Sequence, residues 1–182
     1  MGQDKALLPL SDADAGGSMT LLDFMLRKLE AIELFEKIVI CRNEKPTGAA
    51  HQYLPDIKPG LGPIGALYTL STHFPGQKAL IVPVDMPLLE PQQLKRLSEV
   101  DTSQLAACHY RGFYFPLLMQ FNKSVAGHLI KRIAAKAPDL SVARLLRDIQ
   151  ATELAAPGNL AQFDNANTAA QWHKVLRVIE RR

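Results

Sequence analysis

The chain has 182 residues, 47% of them hydrophobic and 21% charged, which favours one domain with a buried core and rules out a low-complexity or fibrous class. A formal net charge of +3 suits a local anion site and is too small to argue for a nucleic-acid surface. Two cysteines, Cys41 and Cys108, stand far apart in apolar strand-like segments and read as buried free thiols. With no signal peptide and no apolar run of membrane-spanning length, a soluble cytoplasmic protein without nucleic-acid or membrane partners is expected.

The opening, "MGQDKALLPL", sets a glycine, an acid and a lysine directly before an apolar run. It reads like the end of a phosphate-binding loop with nothing upstream. "SDADAGGS" follows as a polar segment expected to form a flexible surface loop. Leu22, Met25, Leu29 and Ile32 make a helical stripe over 20–34, with Ser18 and Thr20 as capping residues. "KIVICR" suits a buried strand, and Pro63 opens a helix expected over 63–71. "KALIVPVD" is a second apolar strand, "EPQQLKRLSEV" a helix, and "LAACHY" and "FYFPLLMQF" two more strands. Helices are expected over 122–136 and 140–149, separated by Pro138. A last helix from about Thr168 buries Trp172, Val175, Leu176 and Ile179 and ends in Lys174, Arg177, Arg181 and Arg182, which complement its dipole. Apolar strands alternating with helices predict a parallel sheet covered on both faces, with ligands beyond the carboxyl ends of its strands.

Several stretches carry chemistry. In "DIKPGLGPIGAL", Asp56 precedes Pro59, Gly60, Gly62, Pro63 and Gly65 at the mouth of a helix. Glycines let a backbone approach a ligand, and helix-start amides favour an anion or a carbonyl oxygen. An ordinary Pro-Gly turn is the alternative. In "VPVDMPLL", Asp85 ends a strand, where it either holds Mg²⁺ bridged to substrate phosphates or caps a turn. In "FDNANTAAQW", Asn165 and Asn167 precede the last helix; Asn167 or Thr168 serves as its N-cap, or an amide oxygen faces Mg²⁺. Lys5 neutralises phosphate charge or is an ordinary solvated lysine. The five histidines, His109, His128 and His173 among them, show no paired zinc spacing.

Taken in order, "MGQDK", "DIKPGLGPIGAL", "VPVDMPLL" and "FDNANT" resemble the molybdenum cofactor guanylyltransferases, within the nucleotidyltransferases of Rossmann-like fold. "YFPLL" sits where that family places a short substrate-side strand. The resemblance implies a three-layer α/β fold with a mostly parallel sheet and one nucleotidyltransferase domain over 1–182. It implies that Lys5 contacts nucleotide phosphates and that Asp85 binds Mg²⁺, these two being the catalytic residues. The loop carrying Asp56, Pro59, Gly60, Gly62 and Pro63 would lie against the base, and Asn167 and Asn165 would be further candidate metal ligands. The family's base-side asparagine falls at Cys41 or at Asn43.

The implied activity is guanylyl transfer from GTP to the molybdopterin cofactor, with hand-over of the product to apo-molybdoenzymes or their chaperones. Cytidylyl transfer, transfer to another phosphate acceptor, and a non-catalytic nucleotide-binding remnant are the alternatives. The chain departs from the family at its start. Relatives carry a strand and a glycine-rich loop ending in Arg-Met-Gly, and Met1 coincides with that Met. The domain is therefore expected to be N-terminally incomplete, its first strand missing. An upstream reading frame should supply an apolar β-branched run, a Gly-Gly pair and an Arg before Met1, completing the sheet between or beside "KIVICR" and "KALIVPVD".

Overall fold

The computed structural model describes residues 4–10, 19–45, 48–135 and 139–179. The opening 1–3, the "SDADAGGS" segment at 11–18, Pro138, Arg181 and Arg182 lie outside the described residues. In chain order the elements are α1 (Leu21–Glu30), β1 (Val39–Cys41), β2 (Gln52–Leu54), α2 (Pro63–His73), β3 (Lys78–Ile81) and α3 (Pro91–Ser98). β4 (Ala107–Tyr110), β5 (Leu117–Gln120), α4 (Lys123–Ala134), α5 (Val142–Asp148), β6 (Thr152–Leu154) and α6 (Ala169–Ile179) follow. The α/β class expected from the sequence is borne out. The chain divides into two compact units: Met1–Glu36, Val82–Arg96 and Ala156–Arg182 form the first, Lys37–Ile81 and Leu97–Ala155 the second.

In the first unit, Thr20 and Asp23 close a capping box at the start of α1, each satisfying the other's backbone amide. The chain just before runs alongside: Leu21 N–H donates to Leu8 O at 2.9 Å and Leu10 N–H to Met19 O at 3.0 Å. Buried Leu10, Leu21 and Met25 then pack with Val82, Val84, Trp172, Leu176 and Ile179. Beside them Leu88, Ala166 and Val175 form a second apolar cluster. Together these anchor α6 and the residues following Ile81 to α1. Lys174, expected to serve the helix dipole, instead pairs with Asp164 at 2.7 Å.

The second unit holds two sheets. β1 and β2 pair in parallel, and a four-stranded sheet runs in the order β3-β5-β4-β6. There β5 is antiparallel to both β3 and β4, while β4 and β6 are parallel. The expected mostly parallel sheet is thus mixed. The cause is the short connection from Tyr110 to Leu117, which permits only an antiparallel return, since a parallel crossover needs a dozen residues or more. Among the described residues no strand joins β1 to β3, and each presents an edge of its own sheet.

Both sheets feed one core. Leu54, Ile64, Leu67, Leu117, Met119, Leu129 and Leu145 are buried within it, drawn from strands and from α2, α4 and α5, and Phe121 joins them from just beyond β5. β4 is buried at all its positions, which places Cys108 in the core as expected. Cys41 is not buried: it ends β1 on the exposed side of the strand's alternation. "FYFPLLMQF" yields a strand only from Leu117, after Pro116, which has no N–H to give a ladder. The strands β2 and β6 were not expected, being short and only partly apolar. Among the described residues no helix is long and apolar enough to cross a membrane.

Leu129 is fully buried on α4. Leu129→Ala should lower unfolding free energy by about 2–5 kcal/mol, read as an earlier urea midpoint at unchanged slope.

Candidate nucleotide site

Two constellations of the expected residues form, one within each unit. In the first unit the chain opens with a 3-10 turn over Lys5–Leu7, which Asp4 caps by accepting from Ala6 N–H at 3.0 Å. Ala6 is buried, so the turn is seated and Lys5 projects from a fixed base. Asp85 does not end a strand as expected, since β3 stops at Ile81; it lies in a turn held by its flanks. Met86, Leu88 and Leu89 are buried, and Lys28 of α1 donates to the carbonyl of Leu89 at 3.1 Å and to that of Pro87. The backbone of Asp85 then captures the segment before α6, its carbonyl accepting from Ala166 N–H at 2.8 Å.

The start of α6 decides what Asn167 does. Thr168 Oγ1 accepts from Gln171 N–H at 3.2 Å, and Gln171 Oε1 accepts from Thr168 N–H at 2.9 Å, a reciprocal capping box. Thr168 is therefore the cap. Asn167 is left free to turn its amide oxygen towards Lys5.

Lys5 Nζ donates to Asp85 Oδ2 at 3.2 Å and to Asn167 Oδ1. Asn165 is exposed and takes no part in this cluster. The Lys5 and Asp85 side chains keep 29% and 20% exposure, so the pair adds about 1 kcal/mol at most to stability. Its weight is chemical. A carboxylate and an amide oxygen converge on one cationic point, and such hard oxygen donors fit Mg²⁺, which takes one or two carboxylates and completes its shell with water and phosphate oxygens. Among the described residues no group of three His, Cys, Asp or Glu could hold a metal by itself, so the remaining ligands would come from substrate and solvent.

In the second unit the loop from Asp56 is fastened at both of its first amides. Asn43 Oδ1 accepts from Asp56 N–H at 3.1 Å, and Thr69 Oγ1 accepts from Ile57 N–H at 3.0 Å. Thr69 in turn donates to Gly65 O at 2.9 Å and is wholly buried. Gly60 and Gly62 have φ of 81° and 55°, a left-handed backbone that side chains resist. Gly62 then precedes Pro63 without any side-chain cap, leaving helix-start amides unclaimed by a capping side chain. Pro59, Gly60, Gly62 and Pro63 are all exposed. A Cβ on Gly65 would meet Lys58 O at 3.0 Å and Asp56 Oδ2 at 3.3 Å, so the glycine admits the carboxylate to the mouth of α2.

Burial pushes the Asp56 carboxyl above its ordinary pKa. The same region pushes the Cys41 thiol up to about 11, through burial first and the Asp56 charge second. Cys41 is exposed as a residue, yet its thiol stays protonated at neutral pH. Of the two positions considered for a base-side group, Asn43 is the one hydrogen-bonded to Asp56. Lys28, Thr69 and Gln171 were not singled out in the sequence. Each acts through a distant backbone or a cap, and only a Thr-x-x-Gln box before an apolar run carried any signal.

The profile of the MobA-like NTP transferase domain matches residues 1–154. The chain belongs to the MobA-like NTP transferase domain family. Solved structures agree on the fold. Molybdopterin-guanine dinucleotide biosynthesis protein A from Archaeoglobus fulgidus superposes with a TM-score of 0.79 at 18% identity, covering 100% of this chain and 93% of that one. A nucleotidyl transferase from Methanothermobacter thermautotroptrophicus gives 0.70 at 14% identity, covering 97% and 85%. The 2-C-methyl-D-erythritol 4-phosphate cytidylyltransferase of Thermus thermophilus gives 0.68 at 13%, covering 97% and 94%. No curated protein matches the chain with significance. The family assignment makes this MobA-like chain a nucleotidyltransferase-type domain, the fold class its motifs pointed to.

The raised Asp56 pKa has a stability consequence. The folded chain holds that proton more tightly than the unfolded one, so ionised Asp56 disfavours folding above its folded-state pKa, and the penalty vanishes below its unfolded value. Asp56→Asn should therefore raise the Tm at pH 7, and the gain should fade as pH falls through the folded-state pKa in a calorimetric series.

Proposed function

We propose that the chain transfers a guanylyl group from GTP to the phosphate of the molybdopterin cofactor and releases pyrophosphate. The observation that carries this reading is the meeting of Lys5, Asp85 and Asn167 at one point, in a chain of an NTP transferase family. An acceptor phosphate oxygen attacks the α-phosphorus in line. The bond from that phosphorus to the bridging oxygen breaks, and pyrophosphate leaves with the electron pair.

The protein's work is positioning and charge neutralisation, with no covalent intermediate. Lys5 offsets charge on the triphosphate. Asp85 and Asn167 would hold Mg²⁺, which when bound draws charge from the phosphate oxygens. The exposed loop from Pro59 to Pro63 receives the base. Asp56 supports guanine there, because an ionised carboxylate only accepts hydrogen bonds, and guanine offers two adjacent donors on one edge. The finished cofactor would pass to apo-molybdoenzymes or their chaperones.

Asp85→Asn keeps the side chain's shape and removes its charge. Pyrophosphate release from GTP, Mg²⁺ and molybdopterin should fall by about a hundredfold or more, while thermal unfolding stays near that of the wild type. Near-normal turnover in this variant would remove Asp85 from the metal role.

Cytidylyl transfer is the second reading, favoured by the likeness to the Thermus cytidylyltransferase. Ligand binding to the folded state alone stabilises by about 2.7 kcal/mol at a hundred times Kd. GTP should therefore raise the Tm clearly more than equal concentrations of CTP or ATP. A larger shift with CTP would replace guanine with cytosine in the assignment.

A further inference from the structure

We propose that the Lys5 ammonium is a tethered stand-in for the divalent cation. In the nucleotide-free protein it fills the cation position between Asp85 and Asn167, and it must leave before a metal enters. This rests on the reading above that Asp85 and Asn167 hold the metal.

The geometry is specific. Lys5 Nζ is 3.2 Å from Asp85 Oδ2 and is also bonded to Asn167 Oδ1, so it sits on the two side chains that the proposed metal would need. An ammonium seated between these two side chains disfavours a divalent ion at the same point, since the two positive charges repel each other at that range. The backbone of Lys5 is fixed by the Asp4 cap and by buried Ala6, so its side chain alone has to move. Its four-carbon stem allows that movement, and the head carries three rotatable donors.

A triphosphate offers that head a stronger set of acceptors. Once the phosphates draw Lys5 off, Asp85 and Asn167 are left aligned and vacant for the metal. Nucleotide and metal therefore help each other in, by the reciprocity that governs any two linked ligands. Metal alone binds poorly because it must first break the lysine's bonds. Partly exposed charge-assisted pairs of this kind are modest, so the handicap amounts to about three- to tenfold in metal affinity.

The test titrates Mn²⁺ as a spectroscopic probe into nucleotide-free protein, in wild type, Lys5→Met, Lys5→Arg and Asp85→Asn. Lys5→Met keeps length without charge and should bind Mn²⁺ about three- to tenfold more tightly than wild type. The same variant should bind GTP more weakly when no metal is present. Opposite shifts for metal and nucleotide separate this role from a structural one, which would weaken both. Lys5→Arg retains a cation and should keep the weak Mn²⁺ binding. Unchanged or weaker Mn²⁺ binding by Lys5→Met overturns the proposal even where Asp85→Asn still lowers Mn²⁺ affinity. If Asp85→Asn leaves Mn²⁺ affinity untouched, the metal assignment beneath the proposal fails with it.

Discussion

Everything in the first unit that bears on chemistry depends on one ammonium meeting two oxygens. Lys5 reaches Asp85 across 80 positions of sequence and Asn167 across 162, so no local propensity can create the cluster. It forms because three backbone segments each have a fastening of their own: the capped turn at Lys5–Leu7, the loop fastened by Lys28, and the capping box of Thr168 and Gln171. The Asp85 carbonyl ties the last two together through Ala166 N–H. The cluster is therefore a readout of the packing around it.

The second unit's loop depends on backbone conformation rather than on a meeting of side chains. Glycines at positive φ set its course, and Gly62 O accepts from Gly65 N–H at 2.9 Å. Such a loop would be loose if nothing fixed its entry. Asn43 and Thr69 fix it, each accepting from one of two successive amides. The buried hydroxyl of Thr69 also donates to Gly65 O, so helix α2 and the loop entry share one hydrogen-bonding atom.

The alternation of apolar runs with helical stripes made the α/β class legible, and the caps at Thr20, Asn122 and Ser141 lie where short polar residues meet apolar periodicity. Strand direction was not legible, because apolar strands look alike whether buried in a parallel or a mixed sheet. Length of connection was the better signal, and the short run between Cys108 and Leu118 already implied an antiparallel return. β2 and β6 escaped notice because three-residue strands carry too little pattern. At the site, Lys5, Asp56, Asp85 and Asn167 stood out only as an ordered set. Taken singly, each had an ordinary structural alternative. The fastening residues remained invisible for a physical reason: a threonine on an apolar helix face or a lysine on α1 has many uses, and its partner is chosen by tertiary approach alone.

The division of labour between core and site follows from these energies. Fully buried side chains such as Leu67, Leu117 and Leu145 each contribute about 1.5–3 kcal/mol by leaving water. The Lys5–Asp85 pair contributes far less, and Asp56 is held in surroundings that disfavour its charge. A pair that bound its own charges tightly would be costly for any other ion to replace. Weak internal pairing of Lys5 and Asp85 is the condition under which another ion could gain by replacing it. The burial energy of the apolar clusters lets each unit carry so weak a pair, or a disfavoured Asp56 charge, without losing its fold.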